Sequence, residues 1–183
     1  LEGYRNFMNK IWNATRFSLN ALTDFKVPGE GQESLPNKTA MSDADQWIIF
    51  KLGELEKDVD EALKSYRFSD AANALYYFHW NIFCDWYLEF IKPMFLEGAD
   101  PESKRATQLV LALILNRVMR LMHPFAPFIT EEIYQKLPIR GEALIADSFP
   151  TVKADKALLS LGSESVAMDV DLVREVIGAI RNI

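Results

Sequence analysis

The chain has 183 residues, with 26 acidic side chains against 20 lysines and arginines and a formal net charge of -6. Hydrophobic residues make up 49% and aromatics 12%, which excludes a disordered chain, and no apolar run reaches the ~20 residues that span a bilayer. The net acidity also excludes indiscriminate nucleic-acid binding, which needs a broadly positive surface, but it leaves room for a local basic face.

The first helix-length segment, 3–22, contains no acidic residue. At 100° per residue, Arg5, Asn6, Asn9, Lys10, Asn13, Arg16 and Asn20 share one arc, and Phe7, Met8, Ile11, Trp12, Ala14 and Leu19 fill the other. A wet helix face normally mixes Glu with Lys, because opposite charges at i,i+4 support the helix. Four asparagines lower helix propensity by several tenths of a kcal/mol each relative to Ala. Amides both donate and accept, as base edges require, and arginines suit phosphates or guanine. Phe17 stands inside the polar arc, where a base could stack on it. A plain solvated face with one stray aromatic accounts for the same pattern, and the residues alone leave both readings open.

Residues 27–41 have the Gly, Pro and polar density of a loop. Ser42 then caps a second helix with Asp43 and Asp45 in its first turn, and Ile48, Leu52, Leu55, Val59 and Leu63 line its apolar face. A third helix is predicted after Ser69, ending near Phe90 ahead of Pro93. Its aromatics, from Tyr76 to Phe90, are too many for an exposed platform and read as core; Trp80 and Tyr87 could reach solvent by their polar ends. Asp100-Pro101-Glu102 starts a fourth helix whose run 109–115 is apolar on all sides, which places it at the centre of a bundle. Beyond that run, Asn116 reads as structural, while Arg117 and Arg120 either cross-link the bundle or extend the basic arc towards RNA.

Pro124 and Pro127 end that helix. Thr130 is predicted to cap a shorter one with Glu131 and Glu132 in its first turn. Residues 139–163 are irregular, with room for a short strand or hairpin, and Ser163 or Ser165 opens a last helix over 164–183. The expectation is one all-α domain over 1–183, with a core bundle at 1–138, belonging to a longer chain. No targeting leader is expected, and Cys84, beside Phe83 and near Trp86, reads as a buried inert thiol without a disulfide partner. The expected compartment is cytoplasmic.

No catalytic, cofactor-binding or metal site is expected in these residues. His79 and His123 do not have zinc-ligand spacing, no Gly-rich phosphate loop or serine elbow is present, and adjacent Glu131 and Glu132 point about 100° apart.

The string YRNFMNKIWNATRF at 4–17 resembles the opening of the anticodon-binding domain of valyl-tRNA synthetases, class I aminoacyl-tRNA synthetases. The stretches 43–64, 66–93 and 123–138 (HPFAPFITEEIYQKLP), then RGEALIADSFP and EVIGAIRNI, are similar to later parts of that domain. Pairing of NKIWNATRF with FCDWYLEF separates the valine group from the isoleucine and leucine enzymes, whose equivalent domain is the nearest alternative. The resemblance implies an all-α helical bundle of the class I anticodon-binding type. It implies a tRNA-Val anticodon loop as partner, carrying A and C at its second and third positions. It further implies a catalytic domain elsewhere in the parent chain, which would use ATP with magnesium through the motifs written HIGH and KMSKS; neither occurs here. Arg5, Asn9, Asn13, Arg16 and Phe17, with Arg117 and Arg120, are the candidate tRNA-binding residues. A helical protein-interaction module, whose Asn/Arg arc docks a protein, is the alternative of another class.

Overall fold

The computed structural model describes residues 2–29 and 35–181. Leu1, the middle of the predicted loop and the last two residues of the predicted C-terminal helix lie outside the described residues. The elements are α1 (Glu2–Ala21), α2 (Asp43–Lys64), α3 (Phe68–Tyr77), a π-helical segment (Phe78–Tyr87), α4 (Leu88–Ile91), α5 (Pro101–Met122), α6 (Pro127–Tyr134), α7 (Lys156–Leu159) and α8 (Glu164–Arg181). Single 3-10 turns lie at Lys38–Ala40, Lys92–Phe95 and Leu144–Ala146. The fold is all-α, and among the described residues there is no strand. The irregular stretch 139–163, which left room for a short strand or hairpin, holds a 3-10 turn followed by the short α7.

Helix α5 forms the centre. Every residue from Ala106 to Asn116 is buried, because the sequence offers no polar face to solvent. Asp100 caps it by accepting from the Ser103 amide at 2.8 Å, with Pro101 at the first helical position. Helix α2 packs against α3, the π segment, α5 and α8. Its start is a full capping box: the Asp45 amide donates to Ser42 Oγ at 3.2 Å, and Ser42 N donates back to the Asp45 carboxylate at 3.0 Å. That carboxylate is wholly buried and also accepts from Tyr87 Oη at 2.9 Å and Thr107 Oγ1 at 2.7 Å. One acidic side chain thus starts α2 and ties the end of the π segment to α5. Tyr87, whose hydroxyl end could have reached solvent, is wholly buried, in line with the core reading of these aromatics.

The third helix begins at Phe68, one residue ahead of Ser69, and Ser69 does not cap it. Tyr66 precedes it at φ 57°, the left-handed position that lets the Arg67 amide reach back to the Ala62 carbonyl at 2.8 Å and close α2. From Phe78 onwards the ladder changes register, as in the i−5 bond from the Leu88 amide to the Phe83 carbonyl. Aromatic periodicity cannot reveal such a change, because it moves backbone bonds rather than the order of apolar residues.

Thr130 does not cap α6. The helix starts three residues earlier, with Pro127 at its first position, so Glu131 and Glu132 lie beyond the first turn. The Thr130 hydroxyl is buried, donating to the Ala126 carbonyl at 2.8 Å beside His123 Nδ1 at 2.9 Å. Glu131 instead accepts from the Leu144 amide at 3.0 Å and holds the following connection. That connection returns across α2 at Gly162, where a Cβ would lie 2.8 Å from the Phe50 amide nitrogen. Ser163 opens α8, receiving the Val166 amide on its hydroxyl at 3.4 Å. Helix α8 docks on α2 through Asp171, which accepts from Trp47 Nε1 at 3.0 Å and pairs with Lys51 at 2.8 Å and Arg174 at 2.7 Å.

Candidate nucleic-acid interface

Helix α1 turns one face into the bundle: Phe7, Ile11 and Ala14 are buried, with Met8 and Leu19 half-buried. Thr15 and Ser18 share that face, their hydroxyls donating to the Ile11 and Ala14 carbonyls at 2.9 Å each, so the polar groups are satisfied within the helix. Trp12 departs from the expectation. It is 38% exposed, because its direction lies about 100° from Ile11 and beside Arg5 on the helical wheel.

The polar arc divides into two zones. Asn6, Asn9, Lys10, Asn13 and Phe17 line a groove of about 460 Å³, whose opposite wall is Trp80, Cys84, Leu88 and Lys92 at four-residue intervals, with Glu89. Arg5, Arg16 and Asn20 are exposed and lie outside the groove lining. Of the predicted residues, the fold therefore brings Asn9, Asn13 and Phe17 together at one concave site. Phe17 is half-buried, with the Lys92 ammonium 5.8 Å from its ring centroid.

Each groove lysine is held by an acid of the segment that faces α1. Lys10 pairs with Asp85 at 2.5 Å and stands 4.1 Å from the Trp80 ring centroid. Lys92 pairs with Glu89 at 2.6 Å. Trp80 in turn stacks on Tyr76, with centroids 5.6 Å apart and planes 20° from parallel. The groove thus offers amide donors and acceptors, two ammonium groups, the Glu89 carboxylate and partly exposed aromatic rings. Burial pushes the Cys84 thiol up to about 12, which leaves it protonated and unreactive. Beneath the groove, burial and the nearby Lys10 push His79 down to about 3. Its ring nitrogens are unpartnered, and it stacks against Phe83 as a neutral core residue.

Asn6, Lys10, Trp80, Glu89 and Lys92 are polar or aromatic groove residues that sequence reasoning left out of its candidate list. The four-residue spacing of Trp80, Cys84, Leu88 and Lys92 was the available signal, obscured because it runs from the π segment into α4 and the turn after it.

Arg117 and Arg120 lie elsewhere, towards the C-terminal end of α5. Arg117 Nε donates to Asp155 at 2.6 Å and its terminal nitrogen to Asn116 Oδ1 at 2.8 Å. Arg120 donates to the Ser148 carbonyl and, at 2.8 Å, to its hydroxyl. Asn116 donates to the Ile139 carbonyl at 3.0 Å. These side chains fasten 139–155 to the bundle.

The chain is thus an all-α bundle with a groove lined by amides and aromatics, and comparison with known proteins gives its family. Residues 45–183 match the family described as the anticodon-binding domain of tRNA ligase, and the chain belongs to that family. Over all 183 residues it is 63% identical to a valine–tRNA ligase of Bdellovibrio bacteriovorus. It is 43% identical to the valine–tRNA ligase of Geobacter sulfurreducens and 39% to that of Bacillus cereus, again over the full chain. In each case it spans 20% of the relative's length. The family match begins at Asp45, so it includes the π-segment wall of the groove; α1 is covered by the whole-chain similarity to the valine–tRNA ligases.

Proposed function

We propose that this chain is the anticodon-reading part of a valine–tRNA ligase and that the groove between α1 and the π segment receives bases of the anticodon loop. The observation that carries the proposal is the groove itself, with Asn9, Asn13 and Phe17 facing Trp80 and Leu88 across about 460 Å³. Sequence-specific RNA recognition favours splayed single-stranded bases, stacked on aromatics and hydrogen-bonded at their edges. Phe17 supplies the stacking face. The exocyclic amino groups of A and C suit acceptors, which Glu89 and the Asn9 and Asn13 amides provide, while the lysines donate to ring nitrogens and carbonyls. Exposed Arg5 and Arg16 outside the groove suit the phosphates that flank an inserted base. Arg117 and Arg120, turned into the connection at 139–155, are left to a structural role. ATP-dependent activation and transfer of valine belong, in this reading, to a catalytic domain elsewhere in the parent chain, whose ATP and magnesium sites do not fall within these residues.

The test is a fluorescence titration of the chain with valine tRNA, with isoleucine tRNA, and with valine tRNA whose second anticodon base is changed from A to G. Preference for unmodified valine tRNA over both others is expected. Equal binding of all three would remove anticodon reading from this chain.

A further inference from the structure

A cluster of ionisable groups lies well away from the groove, where α2, α5 and the connection ahead of α7 meet. Glu56 of α2 is 1% exposed, and both its carboxyl oxygens are buried without a donor. Asp155, itself buried, stands at the start of α7 where that helix packs on α2, and is the charged group that acts on Glu56 most. Arg117 is committed to Asp155 and Asn116, and Arg120 to Ser148 with Asp147 at 4.0 Å. Other charged groups on elements packed against α2 include Asp171 and Arg174 of α8, paired with Lys51 and each other, Asp70 of α3, paired with Arg67, Asp85 of the π segment, paired with Lys10, and Lys156 of α7 with Glu164, Asp169 and Glu175 of α8. Two arginines and two aspartates already balance the cluster. A third, donorless carboxylate would stand buried beside Asp155 with nothing to neutralise it, a cost that proteins avoid by retaining a proton.

We propose that Glu56 is a neutral carboxylic acid that donates its proton to Asp155, and that this shared proton latches the 147–160 connection onto α2 and α5. Arg117 grips the other side of Asp155, so the carboxylate is held between a cation and an acid. Leu158, buried just beyond it, seats the short α7. Burial, then the negative charge of Asp155, pushes Glu56 up to about 8, in keeping with this arrangement. Its ordinary value is 4.5. Because the closed state holds the proton more tightly than the open one, raising the pH between those two values favours opening, and beyond about 8 the effect levels off.

Two measurements on the intact chain test the latch. Infrared spectroscopy near neutral pH should show the carbonyl stretch of a buried protonated carboxylic acid, absent in Glu56→Gln, whose amide can still donate to Asp155. Hydrogen exchange across 147–160, corrected for the intrinsic pH dependence of the chemistry, should report opening that rises by up to about tenfold per pH unit towards pH 8 and then flattens. In Glu56→Gln the same region should exchange independently of pH. No acid band in the parent, or parent and variant exchanging with the same pH dependence, overturns the proposal; the parent titration alone decides it if the variant folds poorly.

Discussion

Replacing Asp45 with Ala should damage this domain more than any single surface change, because one carboxylate serves three elements. It accepts from the Ser42 amide and hydroxyl, from Tyr87 Oη and from Thr107 Oγ1. Losing the return half of the capping box costs about 1 kcal/mol. The Tyr87 and Thr107 hydroxyls, both wholly buried, would be left without an acceptor at about 1–3 kcal/mol each. A loss of about 4 kcal/mol is expected, and urea denaturation followed by circular dichroism measures it. Tyr87→Phe should cost only about 1 kcal/mol, since Asp45 keeps three donors. Because Tyr87 ends the π segment that forms one groove wall, Asp45→Ala should also loosen the packing of Trp80 and Trp86, lowering the near-ultraviolet aromatic signal. If Asp45→Ala costs less than about 1 kcal/mol, the carboxylate is not the tie between α2, the π segment and α5.

Other consequences are as specific. Leu113→Ala, in the middle of the central helix, should cost about 2–5 kcal/mol in the same assay, through lost burial and a cavity. His79 is held at about 3 against an ordinary 6.5, so the unfolded chain takes up its proton first as pH falls. Stability should therefore drop by up to about 1.4 kcal/mol per pH unit on acidification from about 6.5 towards 3, a slope that His79→Phe should remove in urea midpoints compared at pH 7 and 5. Cys84 should resist iodoacetamide at pH 8 in the folded protein and react promptly in urea, as mass spectrometry would show. Gly162→Ala should lower the melting temperature, since its Cβ would meet backbone of α2 rather than a yielding side chain.

Much of this fold was legible because it is written in local chemistry. Ser42 with Asp45, Asp100 with Pro101, and the continuous apolar run of α5 each act within a turn or two of their own position. Thr130 misled because its residue type suits a cap, whereas Pro127 had already supplied the first helical position and the hydroxyl was needed inside. The Asp45–Tyr87–Thr107 junction was illegible, since its partners stand 42 and 62 residues away. The candidate site was half legible: the acid-free arc marks the α1 wall, and its period correctly sets Asn9, Asn13 and Phe17 on one side. The facing wall depends on the π segment, whose altered register brings Trp80 opposite Lys10 and whose four-residue spacing runs on across three elements, where no single helix period marks it.

The central claim is that anticodon bases enter the groove between α1 and the π segment, and binding of an isolated valine anticodon stem-loop to four variants tests it most directly. Phe17→Leu should weaken binding by about 1–3 kcal/mol through the lost stacking face. Asn13→Ala should reduce the preference for the A-C anticodon more than total affinity. Arg16→Ala should weaken binding and make its salt dependence shallower by about 0.7, the value for one phosphate contact on a single strand. Arg117→Ala should bind RNA like the parent once its lower stability is allowed for. If Phe17→Leu and Asn13→Ala bind as the parent does while Arg117→Ala loses the RNA, the groove is a solvated cleft and the reading site lies at the far end of α5.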